Sequence, residues 1–170
     1  MPYLLIIFGV IARLIPHPWN FTPLGALGLF GGANCSFRTA LFIPLIVLFI
    51  ADSILGFYNP VLMFFVYLGF LFAPVIGRLF LQKHTPFRLL GAVFTSATIF
   101  FVLSNFGVWL SGGYEFTFAG LIECYTLAIP FYGATLIGDA IYAFILFGSK
   151  DLFFLLKTKA LKNKSYDQFF

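Results

Sequence analysis

Two carboxylates, Asp52 and Asp139, lie inside apolar runs long enough to cross a bilayer. Holding a charge at membrane depth costs about 2.5–3.5 kcal/mol on insertion scales, so such a group usually faces a cavity, a partner charge or a transport path. Other polar groups fall toward the same side of the chain. Arg13, His17 and Asn20 follow the first apolar run, Asn105 and Trp109 sit near the end of the fifth, and Glu123 lies in a semi-polar stretch before Pro130. Together these residues outline a polar pocket in which Arg13 and His17 would meet a polar or anionic group of a solute. The same residues have a plainer reading. Arg13 can pair with Asp52 or Asp139 to make insertion tolerable, His17 between two prolines suits an interfacial loop, and Trp109, with Tyr114 and Tyr125, suits an aromatic belt.

Catalytic and metal-binding spacings are absent from the sequence. There is no HExxH, no GxSxG, no pair of carboxylates within one helical turn and no glycine-rich phosphate loop followed by lysine. Cys35 and Cys124 stand apart, with no CxxC and no neighbouring histidine at ligand spacing. The expectation is therefore a chain that is not an enzyme, holds no cofactor or metal, and cannot energise transport by hydrolysing ATP itself.

The elements that must position these residues are set by composition. Of the 170 residues, 61% are hydrophobic and only 9% charged, whereas soluble domains carry about 25% charged residues. The spacing predicts an all-α integral membrane protein, with residues 1–156 as one helical domain and 157–170 as a basic cytoplasmic tail. The expected spans are 3–15, 21–33, 39–56, 61–81, 89–110 and 130–156. A helix needs about 20 residues to cross a 30 Å core, and the first two runs fall short of that. They are tolerable if they line protein rather than lipid, so four full spans plus two partial ones is the alternative. The N-terminus lacks a basic region and a cleavage site, and reads as a retained helix.

Orientation follows from the cations. With both termini cytoplasmic, Arg38, Arg78, Lys83, Arg88, Lys150, Lys157, Lys159, Lys162 and Lys164 fall at inner ends, and Arg13 alone falls outside. The tail lysines suit a juxtamembrane segment at a lipid surface, and nucleic acid is not an expected partner. Two small-residue faces offer helix packing: Gly28 with Gly32, and Gly69, Ala73 and Gly77.

The stretches PWNFTPLGALGLFGGANCSFRTALFIPLIVLFIADSILGFYN (18–59), SNFGVWL (104–110) and PFYGATLIGDAIYAFILFG (130–148) resemble a family of uncharacterised bacterial inner-membrane proteins of about this length. More distantly, the pattern is similar to the S components of energy-coupling factor (ECF) vitamin transporters. A glycine-rich second helix, an acidic residue ending the third and a proline-led last helix carry that likeness. The resemblance implies a six-helix bundle in a bacterial inner membrane that captures a vitamin or related small molecule from outside. It further implies a separate transmembrane coupling subunit with ATPases as partner. Docking in such proteins uses a small-xxx-small face on helix one; here Gly9 and Ala12 stand three apart. An accessory or assembly subunit of a larger membrane complex, with no ligand of its own, is the second reading.

Overall fold

The structure, a computed structural model, describes the backbone of residues 1–18 and 20–167 and the side chains of 1–18 and 20–159. Those described residues form six α-helices and no strand: α1 (Pro2–Leu14), α2 (Leu24–Asn34), α3 (Phe37–Leu55), α4 (Pro60–Phe80), α5 (Pro86–Val108) and α6 (Phe118–Asp167). A one-turn π segment, Trp109–Gly113, extends α5. Four of these elements are long and apolar enough to cross a membrane, beginning at Phe37, Pro60, Pro86 and Phe118. This is an all-α membrane protein.

Local chemistry explains the helix starts. Ser36 accepts a hydrogen bond from the Thr39 N–H, Asn59 from the N–H groups of Val61 and Leu62, and Thr85 from Arg88. Each fills orphan donors of a first turn. Pro60 and Pro86 take the following position, where a missing N–H is harmless. Asn59→Ala should therefore lower stability by about 1 kcal/mol, read as a small drop in the unfolding temperature in detergent.

The shortest helix sits at the centre. α2 is apolar on every side, and each residue from Leu24 to Gly32 is buried; a helix with no polar face has to be covered all round. It packs against all five other helices. Its Gly28 and Gly32 press on Ala73 and Pro74 of α4, while Gly77 of α4 lies against the Leu29 backbone of α2. The two small-residue faces read from the sequence are thus largely each other's partner, with Gly69 turned to Phe100 of α5 instead. α1 is peripheral: Leu5 and Gly9 point inward, and Tyr3, Leu4, Ile7 and Ile11 are exposed. Gly9 faces Leu27 and Val47, so it is occupied inside the bundle and not free for docking.

The helices alternate in direction. α2 and α4 run parallel, with Gly28 near Ala73 and Gly32 near Arg78. α4 and α5 run antiparallel, with Gly69 near Phe100 and Phe65 near Gly107. One end of the bundle gathers Arg38, Arg78, Lys83, Arg88 and Lys150. There Lys150 donates to Asn34, His84 meets Asp151 at 3.0 Å, and Gln82 reaches the Gly32 and Ala33 carbonyls. Arg13 lies at the other end.

The last helix differs from its expected bounds. It starts at Phe118 rather than near Pro130, carries Pro130 within it and continues to Asp167 through what was expected as a tail. The semi-polar 118–127 stretch continues the helix with one face on α5, where Tyr125 donates to the Val102 carbonyl at 2.6 Å and Cys124 to that of Asn105. The side chains of Lys162 and Lys164, and residues 168–170 entirely, lie outside the described residues.

Candidate functional site

α2 begins at Leu24, about half-way along its neighbours, and leaves a space above its N-terminus. α3, α4, α5 and α6 wall this space, and His17, Asn20 and Thr22 of the α1–α2 connection lie against it. Two adjoining cavities fill it, of 340 Å³ and 410 Å³. They share Asn20, Leu62, Val66, Phe100 and Thr135 as common wall. Volumes of this size hold small organic ligands.

The first cavity is the polar one. Arg13, His17, Asn20, Thr22, Tyr58, Thr135 and Asp139 contribute to its wall. Arg13 closes it toward α3: its Nη2 donates to Oδ1 of Asp52 at 2.8 Å, and Tyr67 donates its hydroxyl to the other carboxylate oxygen at 3.0 Å. Asp52 is only 2% exposed, so a charge-assisted pair and a phenol together offset its desolvation. The Nε of Arg13 is buried without a hydrogen-bond partner among the described residues. Tyr58 lies in the α3–α4 turn beside this pair. Burial, reinforced by the Asp52 carboxylate and opposed by the Arg13 charge, pushes its phenol up to about 12, so it stays a neutral donor.

Among the described residues Asp139 has no cation as partner. Its Oδ1 accepts the Ala26 N–H at 3.0 Å, and the Gly25 N–H is directed at it as well. Those are first-turn donors of α2, whose own N-cap, Pro23, supplies no side-chain acceptor. The carboxylate of α6 therefore caps α2 from 113 residues away, where the positive end of the helix dipole also favours it. Gly25 leaves room for this contact: a Cβ would stand 2.1 Å from Oδ2 of Asp139, and the carboxylate would have to shift. Gly25 is not among the residues singled out from the sequence, although the glycine density of the second run was the signal that could have found it.

The second cavity is largely apolar and aromatic. Phe100, Phe101, Phe131, Tyr132, Leu127 and Val108 line it, with Ser104, Asn105, Tyr114 and Cys124 as polar exceptions besides the shared Asn20 and Thr135. Phe101 and Tyr132 pack with ring centres 4.9 Å apart, and the Tyr132 hydroxyl meets Thr98 at 2.8 Å. Asn105 donates to the Phe101 carbonyl at 2.8 Å.

Of the residues singled out from the sequence, Arg13, His17, Asn20, Asn105 and Asp139 come together on these two walls. Asp52 stands behind Arg13 rather than on the wall. Trp109 turns away, donating its indole N–H to the Glu115 carbonyl at 2.9 Å and packing against Phe106 and Phe116. Glu123 is exposed, one position off the stripe that Cys124 begins. Asn20 lines both cavities and holds a φ of 59°, among the described residues the one non-glycine in the left-handed region, which asparagine tolerates better than most residues.

Residues 1–162 match the family model described as DUF6580, a family of unknown function, and the chain belongs to that family. No curated protein and no solved structure matches it.

Proposed function

We propose that this DUF6580 member is a solute-binding or uptake component that takes a small molecule into the paired cavities above α2. One observation carries the reading: polar residues from α1, the α1–α2 connection and α6, far apart in sequence, line one 340 Å³ chamber, even though Arg13 is itself paired with Asp52. In this reading the chamber end faces outward, both termini are cytoplasmic, and the cation-rich end lies in the cytoplasm of a bacterial inner membrane. The chain is a binding component rather than an enzyme. If the resemblance to ECF S components read from the sequence holds, the solute is vitamin-like and the partner is a transmembrane coupling subunit with ATPases.

The test is native mass spectrometry of the protein purified in mild detergent. Wild-type protein should carry a small molecule of constant mass. Val66→Phe, which fills the shared wall of the two cavities, and His17→Ala should lose it while remaining folded by circular dichroism. Equal retention in both variants would reject the pocket.

A second reading, an accessory subunit of a larger complex, has its own observation. Leu152 to Leu156 are five consecutive exposed apolar residues, just past the polar cluster of His84, Lys150 and Asp151. Successive helical residues turn by about 100°, so this short stretch is apolar on all sides. Co-purification of one stoichiometric protein partner, lost on Phe153→Ser with Leu156→Ser, would favour it.

A further inference from the structure

The helices around α2 form a ring that is closed except at one place. α1 packs on α3, α3 on α4, α4 on α5 and α5 on α6, but α1 and α6 make no backbone-level contact among the described residues. Phe8 and Phe21 touch Tyr142 of α6 and fill the lower part of this seam. Tyr142 lies seven residues past Thr135, about 10 Å deeper along the helix. Above it, the α6 stripe Cys124, Leu127, Ala128, Phe131 and Thr135 forms the chamber wall. Leu127 belongs to that wall and is also 54% exposed, so the chamber reaches the surface there. Leu127 lies on α6, whose Phe118–Lys159 stretch is long and apolar enough to cross a membrane, two residues beyond Tyr125, a residue suited to an aromatic belt. The mouth therefore meets acyl chains just below the headgroups.

The charges inside are already matched. Arg13 is paired with Asp52, and Asp139 with the N-terminal donors of α2. What remains for a ligand in the polar chamber is hydrogen bonding from His17, Asn20, Thr22, Tyr58 and Thr135, and from the unpartnered Nε–H of Arg13. The neighbouring chamber offers an aromatic lining. Bringing a charged head through lipid, to a site with no spare countercharge, would be costly.

Resting on the pocket reading above, we propose that the ligand is a membrane-partitioning amphiphile with an uncharged polar head and a ring-sized apolar body. It enters sideways from the outer leaflet between α1 and α6, seats its head above α2 and packs its body among Phe100, Phe101 and Tyr132.

Cys124 on the wall of the aromatic chamber reports on access. With Cys35→Ser it is the chain's one thiol. In intact membranes, apolar N-phenylmaleimide should label Cys124, and the anionic sulfonatoethyl methanethiosulfonate should not. Leu127→Trp, at the mouth, should slow the labelling. Labelling by the anionic reagent would place the entrance in water and overturn the sideways route while leaving a pocket in place. No labelling by either reagent, with both reacting after denaturation, would show a sealed chamber and also overturn it. For the ligand class, 2-naphthol should protect Cys124 from N-phenylmaleimide, and 2-naphthalenesulfonate, with the same body and a charged head, should not. Equal protection by both, or by neither, would overturn the neutral-head assignment.

Discussion

Gly32→Ala is expected to be among the most damaging glycine substitutions in this protein. The new Cβ would stand 2.1 Å from the Pro74 carbonyl oxygen and 2.9 Å from the Arg78 nitrogen. Both are backbone atoms inside α4, so no side-chain rotation relieves the clash. The helices must separate, and in a bilayer close packing is much of what holds helices together, because lipid is as apolar as the core. Overpacking alone costs about 1–3 kcal/mol, and separating α2 from α4 also loosens the helix every other helix rests on, so a loss of about 3 kcal/mol or more is expected. Gly77→Ala should behave alike, its Cβ meeting the Leu29 carbonyl oxygen at 2.1 Å. Gly133→Ala is the contrast: nothing lies within 4 Å of its added Cβ, and the better helix propensity should make it neutral or stabilising by up to about 1 kcal/mol. Thermal unfolding of the three variants in detergent checks this. Gly32→Ala as stable as the wild type would show that α2 and α4 are not packed as described.

Arg13→Gln is expected to destabilise the protein by about 3–5 kcal/mol, because it strands the Asp52 carboxylate in a buried site. Asp52→Asn should be nearly as costly, leaving the guanidinium against a neutral amide. The combination of both should recover most of the loss, since the expensive state is a lone charge and not the absence of the pair. Tyr67→Phe removes one hydrogen bond to Asp52 and should cost about 1 kcal/mol. A double-mutant cycle on unfolding free energies measures the coupling. If the single losses simply add in the double variant, the pair is not the structural unit described. Because these changes act on stability, they are poor probes of ligand binding, and wall residues such as Val66 and His17 serve that purpose better.

Much of the fold was readable in the residues themselves. Apolar runs separated by Pro16, Asn59-Pro60 and Thr85-Pro86 mark helix ends because proline and capping side chains act locally. Gly28/Gly32 and Gly69/Ala73/Gly77 announced close helix contact, but each face could have met any helix, and pairing them across α2 and α4 needed the bundle. The extent of α6 was less legible. Pro130 reads locally as a helix start, and packing of Tyr125 and Cys124 on α5 overrides that signal.

The pocket residues show the same division. Arg13 and His17 advertised themselves as polar groups in an apolar chain, since burial of any such group demands a partner. Which partner was open: Arg13 had two aspartates to choose from, and took Asp52.

Composition and residue order alone determined that this chain lives in a membrane, that its cations favour one end, and that six helical segments carry it. Those properties follow from transfer energies and local backbone chemistry, which act residue by residue. Only the tertiary structure decided that Asp139 caps α2 through Ala26, that Gly25 leaves room for the contact, and that a chamber stands above the shortened central helix. These depend on which distant backbone groups the packed helices bring face to face, and no local pattern encodes that.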